Sequence, residues 1–514
     1  MNLVPLFVAI PLGVAFLIPM IGIWWKKSGE VLSTLSMVAL SVMALASIGA
    51  PAVVHHMGGW VAPKGIAVVA DGLSVLLLVA VNVIGLLCII FSLKYMKEYT
   101  GLPKYYALFM LMVAGMNGVV ISGDLFNLFV FLEIASIASY ALVAFGVEAD
   151  ELEAGFKYLI LGSVASVMIL FAVGTVYAVT GSLNMADVAR TISLDWSGPE
   201  MNPALLLAAA LFLMGFSLKA ALVPFHAWLP DAHPSAPAPI SAMLSGVVIK
   251  SLGVYAICRV FFNVFGFAAT SPTSVIIANS MIGFSVLSIV VGGLAAVGQW
   301  DLKRLLAYSS IGQIGYVTLG LGVGARILAT GESTALAALA IFGGLFHLVN
   351  HAAFKSLLFL SSGAIQTATG TRDMKLLGGI REKMPITATT TNLAALSIAG
   401  VPPFSGFWSK LLIIVAVVRA GHLGVAAVAI AMAFVTLVYY VKLQRNIIFG
   451  EVGRNVENAR EVSAAMYVPL IVLAFVCVGF GILAVTQPAI GERMLGPARD
   501  VLLNGAEYVK LVLG

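Results

Sequence analysis

Fourteen stretches of this 514-residue chain are apolar over eighteen residues or more: roughly 3–25, 31–54, 66–93, 105–122, 125–146, 156–180, 203–230, 238–266, 273–298, 305–324, 334–363, 386–418, 422–448 and 464–488. As a helix rising 1.5 Å per residue, about 20 residues cover the ~30 Å hydrocarbon core of a bilayer. Lipid offers no hydrogen-bond partners, so each run must satisfy its backbone internally, as a helix does. Composition points the same way. Only 10% of the residues are charged and 61% are hydrophobic, against about 25% charged in a soluble domain. A chain so poor in charge cannot cover a water-facing surface. This excludes a soluble enzyme, a disordered protein and a nucleic-acid binder, despite a net charge of +5. Cys88, Cys258 and Cys477 lie in separate apolar runs and form neither a disulfide framework nor a CxxC metal site. The first run has no charged leader and is followed by Lys26-Lys27, so a retained helix is expected rather than a cleaved signal. The expected fold is an all-α membrane protein of about fourteen transmembrane helices. Residues 497–513 are too short and too charged to span, and are expected at the surface.

Basic residues set the orientation. Connections after odd-numbered runs hold sixteen Lys and Arg, and the even-numbered connections together with the tail hold eight. The odd connections are therefore expected in the cytoplasm, and both termini outside. Four lysines remain inside the runs: Lys219, Lys250, Lys355 and Lys410. One acid, Glu133, is equally deep, nine residues past Asp124 and so about 13 Å along its helix. A charge near the bilayer centre costs about 2.5–3.5 kcal/mol on insertion scales. Five such residues call for a reason.

Glu133 and Lys219 can form a structural ion pair, or a switch in which opening the pair releases a proton from the lysine. Lys250, in SGVVIKSLG, has no acid in its run and is too deep to snorkel, which favours a functional role. His347, His351 and Lys355, in HLVNHAAFK, fall at i, i+4 and i+8 on one helix face. Two histidines leave a tetrahedral metal site half empty and no acid or cysteine stands nearby, so no metal is expected. A row of imidazoles and an amine suits proton relay. His226, Asp231 and His233 follow the seventh run at its cytoplasmic end, where they either cap a solvated loop or take up protons. Asp71 and Asp124 sit at helix starts and read as caps.

Prolines break two runs in matching ways. The seventh reads SLKAALVPFHAWLPDAHPSAP and the twelfth SIAGVPPFSGFWSKLLII. A proline inside a span frees backbone groups that only protein or water can satisfy. Lys219 precedes Pro224 by five residues, whereas Lys410 follows Pro403 by seven; each break carries Pro-Phe and then Trp. A lysine on opposite sides of similar breaks is the pattern of an inverted repeat, and interrupted helices in two halves mark an ion path. The expected organisation is helices one to three over 1–98, repeat A (helices four to eight) over 99–266, repeat B (nine to thirteen) over 267–449, and helix fourteen with a surface segment over 450–514.

The stretches GDLFNLFVFLEIASIASYALVAFG, FSLKAALVPFHAWLPDAHPSAPAPISAMLSG, DLKRLLAYSSIGQIGY, FHLVNHAAFKSLLFLSSG and GVPPFSGFWSK resemble the antiporter-like subunits of the complex I superfamily. That superfamily holds respiratory complex I, membrane-bound hydrogenases and Mrp-type Na+/H+ antiporters, and the resemblance runs from about Asp71 to Lys410. It implies fourteen helices, inverted repeats, and broken seventh and twelfth helices. It also implies a midplane proton path with Glu133 and Lys219 as the coupling pair, Lys250 and the His347/His351/Lys355 row as relays, and Lys410 at the exit. Lys410 disfavours the complex I subunit that has Glu there. The match looks closest to the D subunit of an Mrp antiporter or its hydrogenase counterpart.

Three functions compete. The leading one is a proton-translocating subunit in the inner membrane of a prokaryote, embedded in the bilayer among other membrane subunits. It would move H+ in exchange for Na+ or driven by redox chemistry in its partners. A stand-alone secondary transporter or permease is the second. A redox enzyme is the third, but the chain has no Cys cluster, no CxxCH and no GxGxxG followed by an acid, so no cofactor is expected.

Overall fold

The computed structural model describes residues 3–195, 202–267 and 272–514, and most of them are helical. The first two runs form α1 (Leu6–Ile21) and α2 (Ser28–Ala46). Next come two strands, β1 (Val53–His56) and β2 (Ala67–Ala70), paired antiparallel with Val53 opposite Ala70 and His56 opposite Ala67. This corrects the expected spans 31–54 and 66–93, whose facing ends are a β-hairpin. Val68, Val69 and Ala70 are apolar and β-prone, and length alone does not separate such a segment from the start of a helix.

Four helices follow: α3 (Gly72–Tyr95), α4 (Leu102–Ile121), α5 (Leu125–Val143) and α6 (Ala149–Thr180). A short amphipathic helix, α7 (Met185–Asp195), has no counterpart among the fourteen runs. The seventh run is split into α8 (Pro203–Lys219) and α9 (Leu229–Ser235). The eighth, α10 (Ala238–Phe265), is buried along its whole length. Its backbone widens into π-helical stretches over Leu244–Val248, Lys250–Tyr255 and Arg259–Phe265, a feature frequent at functional sites.

Then come α11 (Pro272–Val297), α12 (Leu302–Thr330) and α13 (Thr334–Thr369). The twelfth run is split into α14 (Pro385–Ala399) and α15 (Ser405–Arg419). Last are α16 (Leu423–Ile448), α17 (Ala464–Thr486), α18 (Pro488–Leu503) and α19 (Gly505–Leu513). Among the described residues, eleven helices are long and apolar enough to cross a membrane. The shorter α1 and the two broken helices supply the remaining three positions, in the order expected from the sequence. The chain is a multi-pass membrane protein.

The C-terminal helices lie on one end of the bundle, where the Asn263 side chain donates to the Val501 carbonyl at 2.7 Å. Both breaks are packed tightly by a glycine of a neighbouring helix. A Cβ on Gly253 of α10 would stand 2.5 Å from the Ala220 backbone nitrogen, and one on Gly481 of α17 would stand 2.4 Å from the Pro403 carbonyl oxygen.

Candidate functional site

The site begins on one face of α5. Glu133, Ser136 and Tyr140 are spaced three and seven apart, which puts them on the same side of the helix. Lys219, the last residue of α8, reaches that face: its Nζ lies 3.7 Å from Glu133 Oε1 and donates to Ser136 Oγ at 2.9 Å and to Tyr140 Oη at 3.1 Å. Glu133 also accepts a hydrogen bond from Ser166 of α6. The lysine side chain is 2% exposed and the glutamate 28%, so the pair opens toward the protein surface on its acidic side. Ser136, Tyr140 and Ser166 are not among the residues expected from the sequence; the three- and seven-residue spacing from Glu133 is the available signal for the first two.

Lys219 ends its helix because the chain turns away ahead of Pro224, which cannot donate a backbone hydrogen bond. Side chains satisfy the freed groups. Trp228 Nε1 donates to the Leu218 carbonyl at 3.0 Å, and the Val223 N–H donates to Ser288 Oγ at 2.9 Å. The second break is closed by the lysine itself, since Lys410 Nζ donates to the Ile398 carbonyl at 2.8 Å across the gap between α14 and α15. There the cation faces the C-terminal carbonyls of α14, where positive charge is favoured. Its ammonium also sits 5.1 Å over the ring of Tyr316, much as Lys219 sits 5.7 Å over Tyr140.

Between the breaks lies the row on α13. His347, His351 and Lys355 are fully buried and span eight residues, about 12 Å. His347 Nδ1 is 2.9 Å from Ser409 Oγ, beside Lys410, and its Nε2 is 3.1 Å from Gln313 Oε1. Neither ring nitrogen of His351 has a hydrogen-bond partner among the described residues, so both are open to exchange a proton. Lys355 Nζ donates to the Leu306 carbonyl at 2.7 Å. Lys250 donates to the Ser245 carbonyl five residues back, the pattern that a π-helical turn permits. Lys250, Lys355, His347 and His233 all lie within electrostatic range of His351, so the residues singled out on three separate helices converge.

His226, Asp231 and His233 do not form one cluster. Asp231 is held in ion pairs with Lys157 at 3.0 Å and Arg304 at 3.3 Å. His226 is half-buried. His233 is no capping residue of a solvated loop: it is fully buried in α9 against Phe359, with neither ring nitrogen partnered among the described residues. The short helix α9 turns it inward, toward Lys355 and Lys250.

Two basic residues counted as belonging to connections prove to be buried. Lys303 is 2% exposed and donates to the Ala236 carbonyl at 2.7 Å. Arg259 makes a two-pronged ion pair with Asp71, at 2.7 and 2.8 Å, and its guanidinium stacks 4.9 Å from the ring of Tyr508. Asp71 caps α3 as expected, accepting from the Ser74 N–H at 2.9 Å, and in addition neutralises Arg259. Asp124 caps α5 through the Asn127 N–H.

Comparison with known proteins places this arrangement. Residues 122–436 match the family described as NADH:quinone oxidoreductase/Mrp antiporter, TM, and residues 63–106 match NADH-Ubiquinone oxidoreductase (complex I), chain 5 N-terminus. The chain is 36% identical to the N subunit of the NADH-quinone oxidoreductase of Desulforudis audaxviator, over 93% of this chain and 94% of that one. It is 32% identical to the D subunit of the Na(+)/H(+) antiporter of Alkalihalophilus pseudofirmus, over 98% of this chain and 99% of that one. A chain in the structure of the Mrp complex from Dietzia sp. DQ12-45-1b superposes with a TM-score of 0.89 at 26% identity, covering 100% of this chain and 99% of its own length. With the model matching well over half its length, the chain belongs to the NADH:quinone oxidoreductase/Mrp antiporter transmembrane family.

Proposed function

We propose that the chain is a proton-translocating, antiporter-like subunit of a multisubunit membrane complex. The observation that carries this reading is the buried line of ionisable side chains joining the two helix breaks: Lys219, Lys250, His351, Lys355, His347 and Lys410, each at most 4% exposed. Packing has no use for so many amines and imidazoles in a lipid-embedded core, where each is costly if charged. Proton transfer does, because each can hold a proton and pass it on. Glu133 and Lys219 are the coupling pair, Lys250 and the α13 row are relays, and Lys410 is the exit. His233 receives protons arriving from the face of His226 and Asp231. The matched lysines on opposite sides of the two breaks support inverted repeats over 99–266 and 267–449.

The relatives named as a D subunit of an Na(+)/H(+) antiporter and as an N subunit of NADH-quinone oxidoreductase each align with nearly the whole chain. Their names support two drives: exchange against Na+, or redox chemistry in neighbouring membrane subunits. The charge count supports both termini outside, and the bacterial relatives support the inner membrane of a prokaryote. Purification from its own membrane tests the assembly. Co-purifying subunits are expected, together with proton movement in reconstituted vesicles on adding a Na+ gradient or a reductant. A chain that purifies alone and moves no protons under either drive would overturn the reading.

A further inference from the structure

The connection ahead of α12 and the one after α13 meet in a short backbone pairing. The Met374 N–H donates to the Trp300 carbonyl, and the Leu302 N–H donates to the Arg372 carbonyl, each at 3.0 Å. This sets Lys375 beside Trp300, with its ammonium 5.0 Å from the centre of the indole ring. A second ammonium, that of Lys442 near the end of α16, lies 4.0 Å from the same ring. Two cations thus share one exposed indole on the face that carries the Lys/Arg-rich connections.

No carboxylate answers them. Asp301 pairs with Arg372 at 3.2 Å and caps α12, and Asp373 accepts the Lys375 backbone N–H at 2.9 Å. Among the described residues, no acid lies within 4.0 Å of either ammonium. Hydrogen-bond donors are left over as well. An ammonium carries three; Lys442 gives two to the carbonyls of Val297 and Gln299, at 2.9 and 2.6 Å, and keeps one. The Lys375 ammonium and the Trp300 indole N–H make no hydrogen bond within the described residues. Like charges held on one ring repel, an anion relieves that repulsion, and free ammonium donors are suited to phosphate oxygens.

The surroundings of the ring select the kind of phosphate. Here α11 and α16 pack side by side, so closely that a Cβ on Gly293 would stand 2.4 Å from Met432 Cε. Each helix turns an exposed apolar strip outward: Leu287, Leu294 and Val297 on α11, and Phe434, Val438 and Val441 on α16. Spacings of three, four and seven keep each strip on one helix face. From the lysines the strips extend ten and seven residues, about 15 and 10 Å, which covers most of one leaflet of a ~30 Å hydrocarbon core. A soluble anion makes no contact with such strips, whereas acyl chains lie along them. Tryptophan is itself a residue of the membrane–water interface.

We infer that Trp300, Lys375 and Lys442 form the headgroup site of one anionic phospholipid, whose phosphate lies against the two ammonium groups and whose chains run down α11 and α16. The bound lipid would tie together three segments of the chain: the connection ahead of α12, the connection after α13, and the end of α16. The inference does not depend on the proton-translocating reading.

The test titrates the complex, purified from its own membrane into neutral detergent, with phosphatidylglycerol and with phosphatidylcholine carrying the same fluorescent acyl chain. One lysine beside an anionic lipid contributes about fivefold to binding. Lys375→Gln and Lys442→Gln are therefore expected to weaken phosphatidylglycerol binding about fivefold each, and the double variant about twenty-five-fold, with phosphatidylcholine unchanged. Lys442→Arg, which keeps the charge, and Lys97→Gln, an exposed lysine of another connection on the same face, should stay near wild type. Wild-type phosphatidylglycerol binding in the double variant overturns the site. So does equal loss in Lys97→Gln, which would mark general surface charge, or equal loss in Lys442→Arg and Lys442→Gln, which would mark a packing effect. Displacement of the lipid by an equal concentration of inorganic phosphate would make the ligand a free anion and overturn the lipid assignment. A wild-type complex with no preference for phosphatidylglycerol over phosphatidylcholine also overturns it, and would leave the lysines to an acidic segment of a neighbouring subunit.

Discussion

Removing Asp71 should destabilise the protein more than almost any other single change at the helix ends. The Arg259 guanidinium is 1% exposed, and Asp71, itself 3% exposed, is its one counter-charge within ion-pair distance among the described residues. Deleting one member of a buried pair leaves an uncompensated charge, at a cost of about 3–5 kcal/mol. Asp71→Ala also removes the cap on α3, about 1 kcal/mol more, for a total of about 4–6 kcal/mol. Arg259→Met strands the carboxylate instead and gives up the stacking on Tyr255 and Tyr508, a loss of similar size. Because each single variant suffers from an orphaned charge, the double variant Asp71→Ala/Arg259→Met should cost less than the two singles together, by about 2–3 kcal/mol. Equilibrium unfolding in detergent, followed by circular dichroism over the four proteins of the cycle, measures this directly. Single losses under about 1 kcal/mol that simply add would refute the reasoning, and the pair would then be solvated rather than buried.

Lys410→Ala should abolish net translocation without loss of assembly, and Lys410→Glu, which keeps an ionisable group, should retain a fraction of it. The difference should be largest against an imposed membrane potential, where moving one charge across costs about 2.3 kcal/mol per 100 mV. The His347/His351 row should hold no stoichiometric zinc, because both nitrogens of His347 are already engaged by Ser409 and Gln313; one tightly held metal per chain by elemental analysis would contradict this. Gly253→Ala should lower both thermal stability and transport, since its Cβ would meet the backbone of the first break, an overpacking cost of about 1–3 kcal/mol. Gly174→Ala, with nothing within 4 Å of the added methyl, should be silent in the same two assays.

What is legible in the sequence is what lipid enforces. Span positions follow from length and apolarity, and the two breaks follow from Pro224 and Pro403, because neither signal depends on tertiary context. The deep lysines stand out because a charge in an apolar run is costly wherever the helix packs. The hairpin escapes such reasoning because Val68–Ala70 is as apolar as α3, and the cap at Asp71 marks where the helix starts without showing that the residues ahead of it pair as a strand. Arg259 and Lys303 sort among the connections because counting basic residues registers sequence position and not burial. The partner of Arg259 lies 188 residues away in the chain. Hydroxyl partners such as Ser136, Tyr140 and Ser409 carry no charge, so nothing in composition marks them until the helices that bring them to the buried amines and imidazoles are in place.

The central claim is that the Glu133–Lys219 pair couples proton movement to the driving reaction. The most direct test is coupled proton transport by the reconstituted complex with Glu133→Ala and Glu133→Asp, read as a pH gradient across the vesicle membrane and normalised to assembled protein. The account predicts no coupled transport in Glu133→Ala and partial transport in Glu133→Asp, where the charge survives at shorter reach. Wild-type transport by Glu133→Ala at normal assembly would contradict it, and would leave the pair at 3.7 Å a structural ion pair.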